Sequence, residues 1–142
     1  MNNCFYISDD RPSRDLGTYV GEIDGNTAID IPSFFNEIAK AFNFPDYFGS
    51  NYDALDECMN DLSWIDSTNF ILYIKNYKAF LKSEDSKTRI YTLALFRDAC
   101  NQWANVPNFE GEDNFRRKAI FRVVVERCPE IDNDLRSLQQ QS

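Results

Sequence analysis

The sequence contains no histidine among its 142 residues. Histidine supplies the base in Ser-His-Asp and Cys-His active sites and is a common metal ligand, so its absence excludes those mechanisms and His-ligated metal sites. No apolar run approaches the roughly 20 residues that a membrane-spanning helix needs. Residues 1–6 lack a basic region followed by an apolar run, and we therefore expect no secretory leader.

The four cysteines form no Cys-x-x-Cys pair. Cys58 and Cys100 fall on the apolar faces of predicted helices, which is typical of buried thiols. The even number permits disulfides, but a chain of this length can build a sufficient core without them. We therefore predict core thiols. Together with the expected absence of a secretory leader and of a membrane-spanning run, this predicts a reducing, cytoplasmic location.

Charge is unbalanced, with 23 acidic and 15 basic side chains and a formal net charge of −8. Affinity for nucleic acid rests largely on neutralisation of phosphates by lysine and arginine, so we predict neither a nucleic-acid partner nor an anionic membrane partner. An acidic protein attracts basic partners instead. The 43% of hydrophobic residues excludes a disordered chain.

Strand and helix signals alternate along the chain, which predicts an α/β fold with parallel crossovers. Apolar runs at 70–74 and 119–125 are typical of strands buried on both faces. The other predicted elements are strands at 3–8 and 18–23, helices from Pro32 to Phe42, from Ser50 or Asn51 to Leu62 and from Ser86 to Ala104, and a short helix at 77–81. The two amino-terminal strands are expected to pair antiparallel.

We predict a single domain spanning residues 1–142, since no repeat or long linker divides the chain. Residues 105–117 are interrupted by proline and glycine and are expected to form a loop. The polar residues 129–142 are expected to fray. Three large aromatic residues are expected in the core: Trp64, Tyr73 and Trp103.

The segment 44–64 begins as an aromatic loop and continues as a helix. Pro45 ends any preceding helix, because the residue before a proline disfavours the helical conformation. Gly49 is expected to adopt a backbone conformation closed to other residues. Ser50 or Asn51 is expected to cap the new helix.

This predicted helix has an apolar face and an acidic face. At about 100° per residue, the apolar side carries Ala54, Leu55, Cys58, Met59 and Leu62. The opposite side has no lysine or arginine and carries Asp53, Asp56, Glu57, Asn60 and Asp61. Solvated helix faces usually mix charges of both signs. Two interpretations remain open: an ordinary solvated face, or an anionic docking surface for a basic partner.

The run Pro-Asp-Tyr-Phe-Gly-Ser-Asn-Tyr-Asp-Ala-Leu, within 44–64, resembles the signature of the barstar family. These proteins are intracellular inhibitors of secreted ribonucleases. Leu93–Ala99 resembles the last helix of the family, and the order of elements over 18–125 is similar to its fold.

The resemblance implies a single layer of small, mainly parallel β-sheet packed by about four helices, with an extra amino-terminal strand. Residues 18–127 would form the barstar-like core. Residues 1–17 would be an added strand and loop, and residues 128–142 a polar tail.

The resemblance implies that the chain is a cytoplasmic inhibitor and immunity protein. It would bind one basic ribonuclease toxin molecule and would have neither catalytic activity nor a cofactor. The family's inhibitory surface comprises the aromatic loop, the N-terminal half of the acidic helix and one side of the last helix. The matching positions in this sequence are Tyr47, Phe48, Asn51, Asp53, Asp56, Glu57, Leu95 and Asp98. A ribonuclease site is lined by lysine and arginine, whose phosphate-binding positions these carboxylates would occupy.

The sequence departs from the family pattern at three of these positions. The family often has an aromatic residue at the position of Asp56, aspartate at that of Glu57 and glutamate at that of Asp98. These differences bear on which ribonuclease is bound.

Three alternatives accompany the inhibitor hypothesis. Tyr47 and Phe48 could simply pack the loop onto the core. Asp53, Glu57 and Asp61 could bind Mg²⁺ in an enzyme, since neighbouring acids on a helix can ligate a hard cation. The chain could instead be an acidic adaptor or immunity protein for a basic partner that is not a ribonuclease.

Overall fold

A computed structural model describes residues 4–15, 17–105 and 119–140. The predicted loop at 105–117 lies outside these ranges except for its first residue. The strands are β1 (Phe5–Ser8), β2 (Thr18–Asp24), β3 (Asn69–Lys75) and β4 (Ile120–Glu126). The helices are α1 (Ile31–Ala41), α2 (Tyr52–Met59), α3 (Ser86–Ala104) and α4 (Pro129–Gln140), and a 3-10 turn spans Tyr77–Ala79.

The four strands form one parallel sheet in the order β1-β4-β3-β2. The predicted α/β class is therefore confirmed, and the extra amino-terminal strand is present. The chain moves from β2 through β3 to β4 in one direction across the sheet. Right-handed crossovers place the intervening helices on a single face.

The main core lies between this face of the sheet and the helices. Its fully buried side chains include Phe34 and Ile38 from α1, Phe96 from α3 and Leu72 from β3. The chain enters α1 through Asp30, whose Oδ1 accepts a hydrogen bond of 2.9 Å from the Ser33 N–H. The helix therefore begins at Ile31, one residue before its predicted start at Pro32.

The predicted antiparallel pairing of the first two strands is wrong. β1 pairs in parallel with β4, with Phe5 opposite Val123, and so lies at the far edge of the sheet from β2. The connection from β1 to β2 must then cross the whole sheet. A right-handed crossover in this direction lies on the face opposite the helices.

One ion pair joins this connection to the second face, and another links β3 to β2 there. Arg11 Nε lies 3.1 Å from Glu22 Oε1 of β2, and Lys75 Nζ of β3 lies 3.3 Å from Glu22 Oε2. A small buried cluster occupies the same face: Val20, Ile71, Tyr73 and Val124. Tyr73 is thus buried as predicted, but in this cluster rather than in the main core.

The expected fraying of residues 129–142 is wrong for 129–140, which form α4. Ile131 and Leu138 of this helix are buried in the main core. Asp134 is also buried and accepts two hydrogen bonds from Arg89, at 2.6 and 3.0 Å, and one from Tyr77 Oη at 2.7 Å. Burial and this carboxylate raise the pKa of Tyr77 far above its ordinary value. The network joins α4 to α3 and to the 3-10 turn.

The expectation of core thiols at Cys58 and Cys100 holds for Cys58 and is wrong for Cys100. Cys4 and Cys100 form a disulfide with an S–S distance of 1.99 Å, which joins the residue before β1 to α3. Cys100 lies on the core face of α3, as predicted, and the position of β1 at the edge beside β4 brings Cys4 to it. Cys58 is a free, buried thiol, and Cys128 is free as well.

Among the described residues, no helix is both long and apolar enough to cross a membrane.

Candidate functional site

The loop before α2 is held by a chain of aromatic rings in edge-to-face contact. The distances between the centroids of neighbouring rings in this chain are 6.1 Å for Trp64–Phe44, 4.9 Å for Phe44–Phe48, 5.9 Å for Phe48–Phe35, 5.2 Å for Phe35–Tyr52 and 5.1 Å for Tyr52–Tyr91. Such contacts are each worth about 0.5–1.5 kcal/mol beyond area burial. The loop therefore rests on a packed aromatic support.

Phe48 and Tyr47 are neighbours in the loop but differ in their exposure to solvent. Phe48 is partly buried between Phe35 and Phe44. The Tyr47 side chain, in contrast, is 72% exposed. The packing alternative therefore describes Phe48, while Tyr47 is available to a partner.

The turn into α2 differs from the prediction at one residue. Ser50, with φ of 51°, adopts the left-handed conformation, and Gly49 does not. A Cβ added at Gly49 would lie 3.2 Å from Asn51 Nδ2, so glycine leaves space for the capping side chain. Asn51 is the cap, because its Oδ1 accepts a 2.8 Å hydrogen bond from the Ala54 N–H.

The acidic surface consists of Asp53, Asp56, Glu57 and Asp61, all of which are exposed. The first three lie on α2, but the helix ends at Met59, earlier than predicted. Asp61 therefore follows the helix, and only Asp53 and Glu57 form a like-charge pair at helical i,i+4 spacing. The apolar face of α2 packs into the core through Leu55, Cys58 and Met59, as predicted.

The acidic surface is not neutralised by its surroundings. Among the ion pairs of the described residues, none involves these four carboxylates. Partial desolvation and the negative charges of Asp61 and Glu57 raise the pKa of Tyr47. Tyr47 thus shares the electrostatic environment of the carboxylates that follow it.

α3 runs beside α2 and is attached to it at both ends. Tyr52 Oη and Thr92 Oγ1 are 2.7 Å apart at the start of α2, and Trp103 Nε1 donates a 2.9 Å hydrogen bond to Met59 O at its end. Asp98 lies on α3 between these two contacts, level with the middle of α2. Its side chain is 60% exposed, with Arg97 Nε at 3.8 Å.

Leu95 differs from the other predicted contact residues because its side chain is only 7% exposed and belongs to the main core. It has little surface to offer a partner, and its predicted contact role stays a prediction. The other seven positions lie along the loop, the acidic helix and the adjacent side of α3.

Tyr91 was not recognised from the sequence as part of this region. It is 56% exposed and lies against Tyr52. Tyr91, Leu95 and Asp98 are spaced i, i+4 and i+7, which puts them on one side of α3. This spacing could have identified Tyr91.

The alternative of a Mg²⁺ site requires convergent carboxylates. Across the described parts of the chain, no group of three or more histidine, cysteine, aspartate or glutamate side chains is arranged to hold a metal ion. Asp53, Glu57 and Asp61 therefore do not form a candidate centre there.

Comparison with known protein families identifies one match. The family model described as "Barstar (barnase inhibitor)" matches residues 18–126. This range contains β2, β3 and β4 with the loop, the acidic surface and α3, and it excludes β1 and α4. No curated protein matches the chain.

Proposed function

Because the chain belongs to the barstar family, we propose that it is an immunity protein that inhibits a basic ribonuclease toxin by covering the toxin's active site. The inhibitor would bind one toxin molecule and would have no catalytic activity or cofactor of its own. Tyr47, Phe48, Asn51, Asp53, Asp56, Glu57 and Asp98 would form or support the contact surface.

The observation that carries this proposal is the unpaired acidic surface. Exposed acidic side chains without nearby cations repel one another, and Asp53 with Glu57 costs the helix about 0.2–0.5 kcal/mol. A basic partner would convert this repulsion into attraction. A ribonuclease supplies such a partner, since its active site concentrates lysine and arginine to hold phosphates.

The rigid support of the surface favours the same proposal. Contacts at both ends hold α2 against α3, and the aromatic chain holds the loop before α2. A preorganised surface loses little conformational entropy when it binds. The carboxylates can therefore meet several cationic groups at once without reorganisation.

The predicted cytoplasmic location rested in part on the expectation of thiols. The Cys4–Cys100 disulfide removes that reasoning, since disulfides are rare in reducing compartments. The location remains a prediction based on the family resemblance.

An inhibition titration tests the proposed function. Purified protein is added to barnase and to a panel of other basic bacterial ribonucleases, and cleavage of a fluorogenic RNA substrate is followed. We expect at least one enzyme to lose its activity at a 1:1 molar ratio, while the protein alone cleaves nothing. RNA cleavage by the protein alone that a chelator abolishes would support the Mg²⁺ enzyme. Binding to a basic protein without inhibition of any ribonuclease would support the adaptor alternative.

A further inference from the structure

Tyr91 is an exposed aromatic residue in a fixed position beside α2. Its ring meets the Tyr52 ring nearly at right angles, at 83°, with a centroid separation of 5.1 Å. Tyr52 is in turn fixed by the hydroxyl of Thr92, which is fully buried. More than half of Tyr91 still faces solvent. Its neighbours thus hold a ring whose outer surface is available to a partner.

Tyr91 lies along one edge of the acidic face of α2. At about 100° per residue, four side chains of α2 follow one another around the helix in the order Tyr52, Asp56, Asp53 and Glu57. The Tyr52 side contacts Tyr91. The carboxylates therefore have an exposed tyrosine along one edge of the face.

This arrangement suits a planar cation. A guanidinium group stacks on aromatic rings and pairs with carboxylates, and it is more weakly hydrated than an ammonium group. Asp56 is the carboxylate nearest the Tyr91 side in the helical order.

We propose that Tyr91 is a contact residue that stacks against an arginine side chain of the ribonuclease, with Asp56 as the partner carboxylate. This inference rests on the proposed inhibitory function. Tyrosine and arginine are enriched among the residues that dominate binding energy at protein interfaces. Tyr91 would then help to determine which ribonuclease is recognised.

The test uses Tyr91→Ala, Tyr91→Phe and a matched control, Tyr6→Ala. Tyr6 is 44% exposed and lies on β1, at the sheet edge beside Arg122, away from α2. Dissociation constants are measured for the ribonuclease that the wild-type protein inhibits. We expect Tyr91→Ala to weaken binding about tenfold or more. Tyr91→Phe keeps the ring and should remain within about threefold of wild type, as should Tyr6→Ala.

Thermal melts of the free proteins separate binding from folding. Tyr91→Lys is a second variant, because its aliphatic stem can still cover Tyr52 while its charge repels an arginine. It should bind at least as weakly as Tyr91→Ala, with an unchanged melting temperature. Wild-type affinity in both variants, together with weak binding by Glu57→Gln, would overturn this inference and leave the proposed function intact. If the wild-type protein inhibits no ribonuclease in the panel, the proposed function and this inference both fail.

Discussion

The hydroxyl groups of Tyr52 and Thr92 lie 2.7 Å apart and join the acidic helix to α3. Thr92 donates its own hydrogen to Thr88 O at 2.9 Å, so it accepts from Tyr52. Tyr52 also connects Phe35 in the core to Tyr91 at the surface. This contact therefore sets the position of the acidic surface relative to Asp98.

Removing this hydrogen bond should loosen the two helices without removing a ring. Tyr52→Phe and Thr92→Val are each expected to lower the unfolding free energy by about 0.5–1.5 kcal/mol, because each leaves a partner hydroxyl less well satisfied. A double-mutant cycle measured by urea unfolding should give a favourable coupling of similar size. Additive effects would show that the two hydroxyls do not stabilise the helix pair.

The buried Asp134 network should be essential for docking α4. Asp134→Asn leaves Arg89 without its carboxylate, and we expect a loss of about 2–4 kcal/mol in unfolding free energy. Asp9→Asn is the matched control. It breaks the ion pair with Arg127, in which both side chains are more than half exposed, and it should cost less than about 1 kcal/mol. Equal losses in the two variants would contradict a special role for the buried pair.

The disulfide should stabilise the protein by linking the added strand to α3. Cys4 and Cys100 are 96 residues apart in sequence, and bonds that close loops typically contribute about 2–4 kcal/mol. Reduction with dithiothreitol, or the Cys4→Ser/Cys100→Ser double variant, should lower the melting temperature. Cys128→Ser is the control, because Cys128 is a free thiol. An unchanged melting temperature after complete reduction would argue against this stabilisation.

Association with a ribonuclease should depend strongly on salt. Electrostatic steering between an acidic surface and a basic cleft is screened over about 10 Å at 0.1 M salt. We expect the association rate constant to fall about tenfold or more between about 0.05 and 0.5 M salt. The dissociation rate should change much less. Stopped-flow measurements that show a salt-independent association rate would contradict docking through the acidic surface.

Patterns within single elements predicted much of the fold. The start and end of α3 matched the expected residues, and the apolar runs at 70–74 and 119–125 became the central strands β3 and β4. These elements have strong local periodicity or continuous apolar runs. The prediction that Ser50 or Asn51 caps α2 is confirmed for Asn51, because its short side chain reaches the N–H of Ala54.

Features that depend on contacts between residues far apart in the sequence could not be predicted from patterns within single elements. Asp134 can be buried in the polar segment at 129–140 because its carboxylate accepts hydrogen bonds from Arg89, which lies 45 positions earlier. The partner of β1 depends on the free edge of β4, and the Cys4–Cys100 pairing depends on that placement. The outward position of Tyr91 was visible in its spacing, but its contact with Tyr52 required the packing of α2 on α3.

If the acidic surface serves binding rather than folding, replacing Glu57 should affect binding and not stability. Glu57 forms the helical like-charge pair with Asp53 and lies beyond the first turn of α2. Glu57→Gln should therefore leave stability unchanged or raise it by about 0.2–0.5 kcal/mol. Asp53→Asn is the control. It relieves the same repulsion but loses a favourable interaction of about 0.3–1 kcal/mol with the helix dipole, so its stability should change little or fall.

The decisive measurement is the affinity of Glu57→Gln for the inhibited ribonuclease, taken beside a thermal melt of the free variant. We expect a loss of about 100-fold or more in affinity, with a melting temperature equal to or above that of the wild-type protein. A variant that binds as tightly as wild type but melts at a lower temperature would show that the acidic face is structural and that the inhibitory surface lies elsewhere.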